Sequence, residues 1–416
     1  MSSASPHIDV IIAGGGQVGL ALALALRRAA PDFAVTVVDA SPPVDGVRAG
    51  RASTVVAGGR RMLEQLGVWA EIASAAEPVT EMIVTDSRTR DVARPVLLTF
   101  PMVAEEDGGA AAHVVPDGVV VGALRRAAEA AGAVIVSPEA IADFTVGQAW
   151  ITARTMGGRD FRAGLLVAAD GVRSRLRQFA GIGTIGGPYG QSGIVVTVGH
   201  EKPHGGRAEA HFLPGGPFAI LPLKSTAEGA NRSSLVWTEP TGLAERLVAG
   251  DTLTFKVELE RRFGHRLGAI EVIDRPRAFP LGVQLARDFV RPRFALVGDA
   301  AHSIHPIAGQ GLNLGYRDVA ALAETIVEAH RLGLDIGALA VLERYQRWRR
   351  YDTAEMALAT DGLNRLFSND NAALRLARDV GLGLVDRLPT LKGLFAREAS
   401  GSGIGELPRL TRGEAI

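Results

Sequence analysis

The chain has 416 residues, with 45 Lys and Arg against 45 Asp and Glu and no cysteine. The length exceeds one ordinary core and points to two domains. Balanced charge argues against nucleic acid as a partner, and the missing thiols exclude disulfides, thiolate nucleophiles and Cys-ligated metals, in keeping with a reducing compartment.

The opening MSSASPHIDV lacks a basic region, an apolar stretch and a cleavage site, so no signal peptide is expected. Residues 8–13 (IDVIIA) predict a buried strand. Residues 18–30 are apolar on every face and predict a buried helix, but Arg27 and Arg28 interrupt them and they are too short to span a bilayer. These features predict a cytoplasmic protein, with peripheral contact at the inner face of the membrane left open. Residues 34–39 (AVTVVD) predict a second buried strand ending on Asp39, which completes a βαβ unit.

Between the first strand and its helix stand Gly14, Gly15, Gly16, Gln17, Val18 and Gly19, a G-x-G-x-x-G turn. Gly14 permits the tight turn, Gly16 lets a pyrophosphate approach the backbone, and Gly19 lets helix and strand pack closely. The helix N-terminus offers free N–H donors, and Asp39 is placed to accept ribose hydroxyls. The turn alone leaves NAD and FAD open. A P-loop is excluded, because no Gly-Lys-Ser/Thr follows.

Further on, residues 53–66 predict a helix closed by Gly67, and residues 119–131 predict another. Residues 165–169 predict a strand that ends on Asp170-Gly171 before a basic helix; by itself this also reads as a capped, charged turn. Between 185 and 280 short strands at 194–198, 208–212, 218–223 and 234–238 predict an antiparallel sheet, with a helix over 252–263 beside it. Residues 293–298 return to the buried-strand type and end on Gly298-Asp299. The rest, from about 310, reads as mostly helical.

A carboxylate at Asp299 suits a polyol chain, since hydrogen bonds to a charged group are worth about 1.5–3 kcal/mol each. Pro306 stiffens the following loop, and Gly309 and Gly311 let its backbone lie against a flat ring. The helix starting near Leu312 would turn its positive end toward that ring and favour an anionic reduced flavin. Three loops, each after a buried strand, thus converge on one FAD.

Gly14–Gly19 with Asp39, Asp170-Gly171 with Ser174, and Gly298-Asp299 resemble the three signatures of the class A flavoprotein aromatic hydroxylases. HPIAGQGLNLGYRD, 305–318, resembles the signature of the ubiquinone-biosynthesis hydroxylases (the UbiH/Coq6 group), and the likeness runs through RYQRWRRYD into LVDRLPTLKGLFAREA. One departure is that Arg51 is followed by Ala52-Ser53-Thr54-Val55 rather than the usual Arg-x-x-Ala-Leu.

The resemblance implies an α/β fold: an FAD-binding Rossmann-like domain (1–75, 100–182, 281–330), an inserted antiparallel-sheet substrate domain (76–99, 183–280) and a helical C-terminal region (331–416), as in hydroxybenzoate hydroxylase. It implies cofactor contacts at Gly14, Gly15, Gly16, Gln17, Val18, Gly19, Asp39, Arg51, Asp170, Gly298, Asp299, Gly311, Leu312 and Asn313. Pro306, Gly309 and Gln310 are the flavin-loop candidates beside the chemistry. It further implies hydroxylation of a polyprenylated phenol or quinol in ubiquinone biosynthesis through a flavin C4a-hydroperoxide, using O2 and NAD(P)H or a protein electron donor, with other ubiquinone-biosynthesis proteins as partners. The alternatives are an aromatic-acid or polyketide hydroxylase, for which Arg207 and Arg232 would be carboxylate-binding candidates, and a non-catalytic flavin-binding accessory subunit.

Other features read as structural. His302 and His305 lack a third metal ligand and favour a structural role over a metal site or a catalytic base. Phe218, Leu221, Pro222, Trp237, Phe279 and Pro280 could wall an apolar cavity, with core packing expected for most. Leu384, Val385, Leu388, Leu391, Leu394 and Phe395 among Arg387, Lys392 and Arg397 form a candidate membrane-surface segment, with packing on the body preferred. Arg344, Arg347, Arg349 and Arg350 read as a solvated helix face.

Overall fold

The computed structural model describes residues 8–42, 51–87, 96–103, 109–368 and 407–416. The first sheet runs β18 (Val290–Arg291), β19 (Phe294–Leu296), β11 (Asp160–Ala168), β1 (Ile8–Ala13), β2 (Val35–Val38), β8 (Val134–Val136); β10 (Ile151–Thr155) joins β11 and carries β9 (Ile141–Val146). β19, β11, β1, β2 and β8 are parallel, so their C-terminal ends share one edge. Such strands are buried on both faces, which is why they read as continuous apolar runs. Helices α1 (Gln17–Ala29), α4 (Asp117–Ala130) and α8 (Gly311–Arg331) pack in this layer, with α1 between the other two.

The second sheet runs β20 (His302–Ser303), β17 (Arg277–Ala286), β12 (Thr184–His200), β15 (Asn231–Pro240), β14 (Gly216–Leu223), β13 (Arg207–Leu213), β5 (Glu81–Asp86), β6 (Val96–Pro101), with β16 (Ile270–Val272) on β12. Its neighbours are antiparallel except β13 with β5. One face packs Phe218 and Trp237 beneath α6 (Thr241–Ala249) and α7 (Thr252–Phe263). The other face looks toward α9 (Leu339–Phe367). A small third sheet orders β3 (Ala52–Val56), β7 (Ala112–Pro116) and β4 (Glu77–Val79). Helices α2 (Ala57–Gln65), α3 (Trp69–Ala73) and α5 (Arg175–Phe179) are short, as is the turn of helix Arg409–Arg412.

Several expectations change. The helix expected from residue 53 begins only at Ala57, because Thr54, Val55 and Val56 belong to a β-branched run that pairs with β7 instead. The expected domain boundaries at 99/100 and 280/281 fall inside β6 and β17, strands paired along their length. Arg349 does not belong to a solvated face; it is 2 % exposed and bound inside the protein, whereas Arg347 remains 69 % exposed. The candidate membrane-surface segment around Leu384–Arg397 lies outside the described residues. Among the described residues, no helix is long and apolar enough to cross a membrane.

Candidate active site

The parallel sheet sets the site, because β1, β11 and β19 all end at one edge and send their loops to the same place. Gly14 has φ +118°, and a Cβ there would strike the carbonyl of Ala169, so the first loop lies directly on the second. Gly298 has φ +59° and lies against Val18, where a Cβ would come within 3.2 Å of its methyl groups, so the third loop lies on the first. Gly15 faces Asp39, whose Oδ2 would be 2.7 Å from an added Cβ. Around Gly16 and Gly311, by contrast, an added Cβ meets no atom within 4 Å. Those two positions open the N-termini of α1 and α8, neither of which carries a side-chain cap. Each therefore presents unpaired N–H donors and a partial positive charge.

Arg51, Asp299, Pro306, Gly309, Gln310, Gly311 and Leu312 line one cavity of about 820 Å³. Arg51 is 69 % exposed and is held from behind by Asp117 at 3.0 Å. Asp299 opens on the cavity while protein crowds its other sides; burial pushes its carboxyl up, against the pull of His302 and Arg51. Asp170 is exposed and caps the following helix, with Oδ2 accepting from Leu176 N at 3.3 Å. Gly14–Gly19, Asp39, Asp170 and Gly298 stand at the strand ends rather than on this cavity, in keeping with a ligand longer than the cavity itself.

α8 ties the loops together. Asn313 lies off the cavity and spends its side chain on protein: Oδ1 accepts from Val56 N at 3.1 Å, and Nδ2 donates to Thr54 O at 2.9 Å and Gly309 O at 3.2 Å. Tyr316 donates its hydroxyl to Gln17 Oε1 at 2.8 Å. Asp318 accepts from Gly298 N at 2.9 Å and from His302 Nε2 at 2.6 Å, and its other oxygen accepts from Arg349 Nε at 2.8 Å. Burial would raise the Asp318 carboxyl, but His302 and Arg349 outweigh it and hold it below the ordinary carboxylate range. Arg349 also pairs with Asp352, which accepts from Arg317 at 2.8 Å. Asp318 closes the quoted GLNLGYRD run, yet its partner Arg349 is 31 residues away, so spacing alone could not reveal the pair.

His302 therefore holds Asp318. His305 is fully buried, with neither ring nitrogen hydrogen-bonded, and its ring stands edge-on to Tyr189 at 5.3 Å. Burial lowers its pKa to about 4, against the pull of Asp361. Among the described residues, no cluster of three acidic or histidine ligands could hold a metal.

Beyond the flavin-loop candidates the cavity wall is mostly apolar, with Glu209, Gln284 and Thr360 among the exceptions. Met82, Val84, Leu98, Phe100 and Phe212 wall it from the second sheet, and Met356, Leu363 and Phe367 from α9. Leu221, Phe279 and Pro280 also line it, whereas Phe218 and Trp237 point to the opposite face and fill a core. Arg207 and Arg232 do not reach it: the first pairs with Glu81 at 2.8 Å and the second donates to the Lys224 carbonyl. The residues present fit FAD. Two open helix N-termini suit phosphate and an electron-rich ring edge, Asp299 suits a polyol, and the gap beside Gly309–Leu312 suits a flat ring.

Residues 7–356 match the FAD binding domain family. The chain is 42 % identical to the ubiquinone hydroxylase UbiL of Rhodospirillum rubrum, covering 99 % of this chain and 94 % of that protein. It is 34 % identical to the 3-demethoxyubiquinol 3-hydroxylase of Escherichia coli, covering 92 % and 96 %. Among solved structures, p-nitrophenol 4-monooxygenase PnpA of Pseudomonas putida superposes with a TM-score of 0.78 at 19 % identity, covering 96 % of this chain and 99 % of that one. Aklavinone-11 hydroxylase with FAD and aklavinone superposes with a TM-score of 0.69 at 22 % identity, covering 87 % and 70 %. Sequence, fold and loop geometry agree, and the chain belongs to the FAD binding domain family as an FAD-dependent monooxygenase of the ubiquinone-biosynthesis hydroxylase branch.

Proposed function

We propose that this enzyme hydroxylates the aromatic ring of a polyprenylated phenol or quinol on the route to ubiquinone. The observation that carries the reading is the cavity in which the Pro306–Leu312 loop meets, among the described residues, a wall without a cation for a substrate carboxylate, Arg51 excepted. The identity to relatives named for ubiquinone chemistry supports the pathway.

When bound, FAD supplies the redox and O2 chemistry. The chain supplies the rest. Gly16 and the start of α1 would receive the pyrophosphate, Asp39 the adenosine ribose and Asp299, which shares the cavity with Arg51, the ribityl chain. The N–H groups at the uncapped start of α8, Gly311 and Leu312, would stabilise negative charge on the ring. Pro306 and Gly309 would hold the substrate ring beside the cofactor, and the mostly apolar walls would exclude water. We assign the first sheet with α1, α4 and α8 to cofactor binding and the second to substrate binding. NAD(P)H or a protein donor delivers the electrons. Docking at the inner membrane face, beside other enzymes of the pathway, would give access to a greasy substrate.

The test is a single turnover of chemically reduced holoenzyme with isotopically labelled O2 and a prenylated phenol. One labelled oxygen in the product is expected. FAD-replete enzyme that yields only peroxide with every phenol offered would point to the accessory role instead.

A further inference from the structure

Two segments that line the cavity run on into neighbouring helices. Residues 51–54 line it, and β3 continues directly into α2. Residues 309–312 line it, and they continue into α8. The two helices lie against each other: a Cβ at Gly59 would come within 3.1 Å of the Tyr316 ring and 3.2 Å of Asn313 Oδ1. At the cavity end Asn313 already fastens α8 to β3, through neutral hydrogen bonds to Thr54 and Val56.

Residues 407–416 return to this seam and bind both helices. On α2, Arg61 Nε donates to the Thr411 carbonyl at 2.9 Å. Thr411 turns its own hydroxyl back to the Pro408 carbonyl at 2.7 Å, which closes the turn and presents that carbonyl to Arg61. On α8, Glu324 accepts from Arg409 N at 2.9 Å and lies 3.4 Å from its Nε, while Glu328 lies 3.4 Å from its Nη2. Arg331 of α8 donates to the Ile416 carbonyl at 3.1 Å. Leu410, 5 % exposed, enters the core around the parallel sheet. Glu324 is buried as well, so its bonds to Arg409 are screened less than those of a surface pair.

We propose that residues 407–416 are a latch that holds α2 to α8 and thereby sets how fast FAD leaves the enzyme. A cofactor bound in this cavity is released most directly when β3 and the flavin loop part, and they part only if α2 separates from α8. Asn313 resists that from the cavity side, and the latch resists it from outside with charge-assisted bonds. With the latch seated, the two helices move as one body and the site stays closed. With the latch off, the seam keeps only its inner ties. The proposal depends on FAD as the cofactor and not on which ring is hydroxylated.

The experiment locks the latch covalently. The chain has no cysteine, so Gly58→Cys with Thr411→Cys can close one bridge only. A Cβ at Gly58 would stand 3.8 Å from that of Thr411, inside the range of about 3.5–4.5 Å that a disulfide spans. FAD-loaded enzyme is diluted, and release is followed as flavin fluorescence returns. Oxidised double variant should release FAD at least about ten-fold more slowly than the same protein reduced, and added reductant should restore the faster rate. Arg409→Glu sets like charges against Glu324 and Glu328 and should speed release about ten-fold, the lower end of what a hydrogen bond to a charged group is worth. The oxidised bridge should cancel that gain. Because oxidised and reduced forms are one folded holoenzyme, their difference reports the latch and not the folding of a variant. Equal release from the two forms would overturn the proposal, and so would a bridge that fails to close. Arg409→Glu enzyme that is less stable in denaturation yet releases FAD at the wild-type rate would reduce the segment to ordinary packing and overturn it too.

Discussion

Replacing Arg349 by Met tests the account of how the cofactor loops are held. Arg349 is buried between Asp318 and Asp352, with Nε 2.8 Å from Asp318 Oδ1. Met keeps most of the volume and removes the charge. Asp318 then keeps Gly298 N and His302 Nε2, and its fully buried carboxylate has lost its arginine. Two unit charges about 4 Å apart interact by about 4 kcal/mol at an effective dielectric of 20, within the 3–5 kcal/mol typical of breaking a buried pair. Apo protein should lose about that much in chemical denaturation followed by tryptophan fluorescence. Because Asp318 also holds Gly298 N, FAD affinity measured by flavin fluorescence should fall too. Adding Asp318→Leu to Arg349→Met removes the orphan charge and should recover much of the stability, but not the affinity. Arg347→Ala, on the exposed face of the same helix, should change stability by less than about 0.5 kcal/mol. A folded Arg349→Met protein within about 1 kcal/mol of wild type and with normal FAD affinity would refute the reasoning.

Gly16→Leu should leave apo stability nearly unchanged and abolish FAD binding, since an added side chain there meets no protein; Gly14→Ala should destabilise the apo protein, since it meets the Ala169 carbonyl at φ +118°. Isothermal titration with FAD beside denaturation separates the two. Asp299→Ala should weaken FAD about ten- to 150-fold, the worth of one charge-assisted hydrogen bond, and fluorescence titration reads it. His305 has a folded pKa of about 4 against an ordinary 6.5, so the unfolded chain binds its proton first. Its contribution is complete above about pH 6.5 and is lost as pH falls toward 4, by about 3 kcal/mol in all. His305→Leu should remove that slope from apo stability measured against pH. The depressed carboxyls of Asp318 and Asp352 act only below about pH 4, so the two windows do not overlap.

The parts of the site legible in the sequence are those that demand a residue type locally. A turn resting on another backbone needs Gly14, which can be read in place, and the carboxylate expected at the end of β19 is Asp299, which lines the cavity. What stayed hidden depends on pairing at a distance. Asn313 resembles a cofactor contact, yet its amide is used up on Thr54, Val56 and Gly309. Arg349 sits among arginines that do face water, and only the crossing of α9 over α8 singles it out. Parity along strands was readable but unused: Trp237 is one residue from Val236, and the two point to opposite faces of β15. The start of α2 is hidden because the β-branched run Thr54–Val56 continues into it in sequence yet pairs with β7.

The reach of α8 has a bearing on how the enzyme is made. Gln17 finds its tyrosine 299 residues later, and Val56 finds its asparagine 257 residues later. A chain leaving the ribosome exposes its glycine fingerprint early but cannot lock it until the last quarter of translation has delivered this one segment. Flavin loading is thus expected late in biosynthesis, and a truncated product ending before residue 311 would carry the glycine fingerprint, Asp170-Gly171 and Gly298-Asp299 and still emerge colourless.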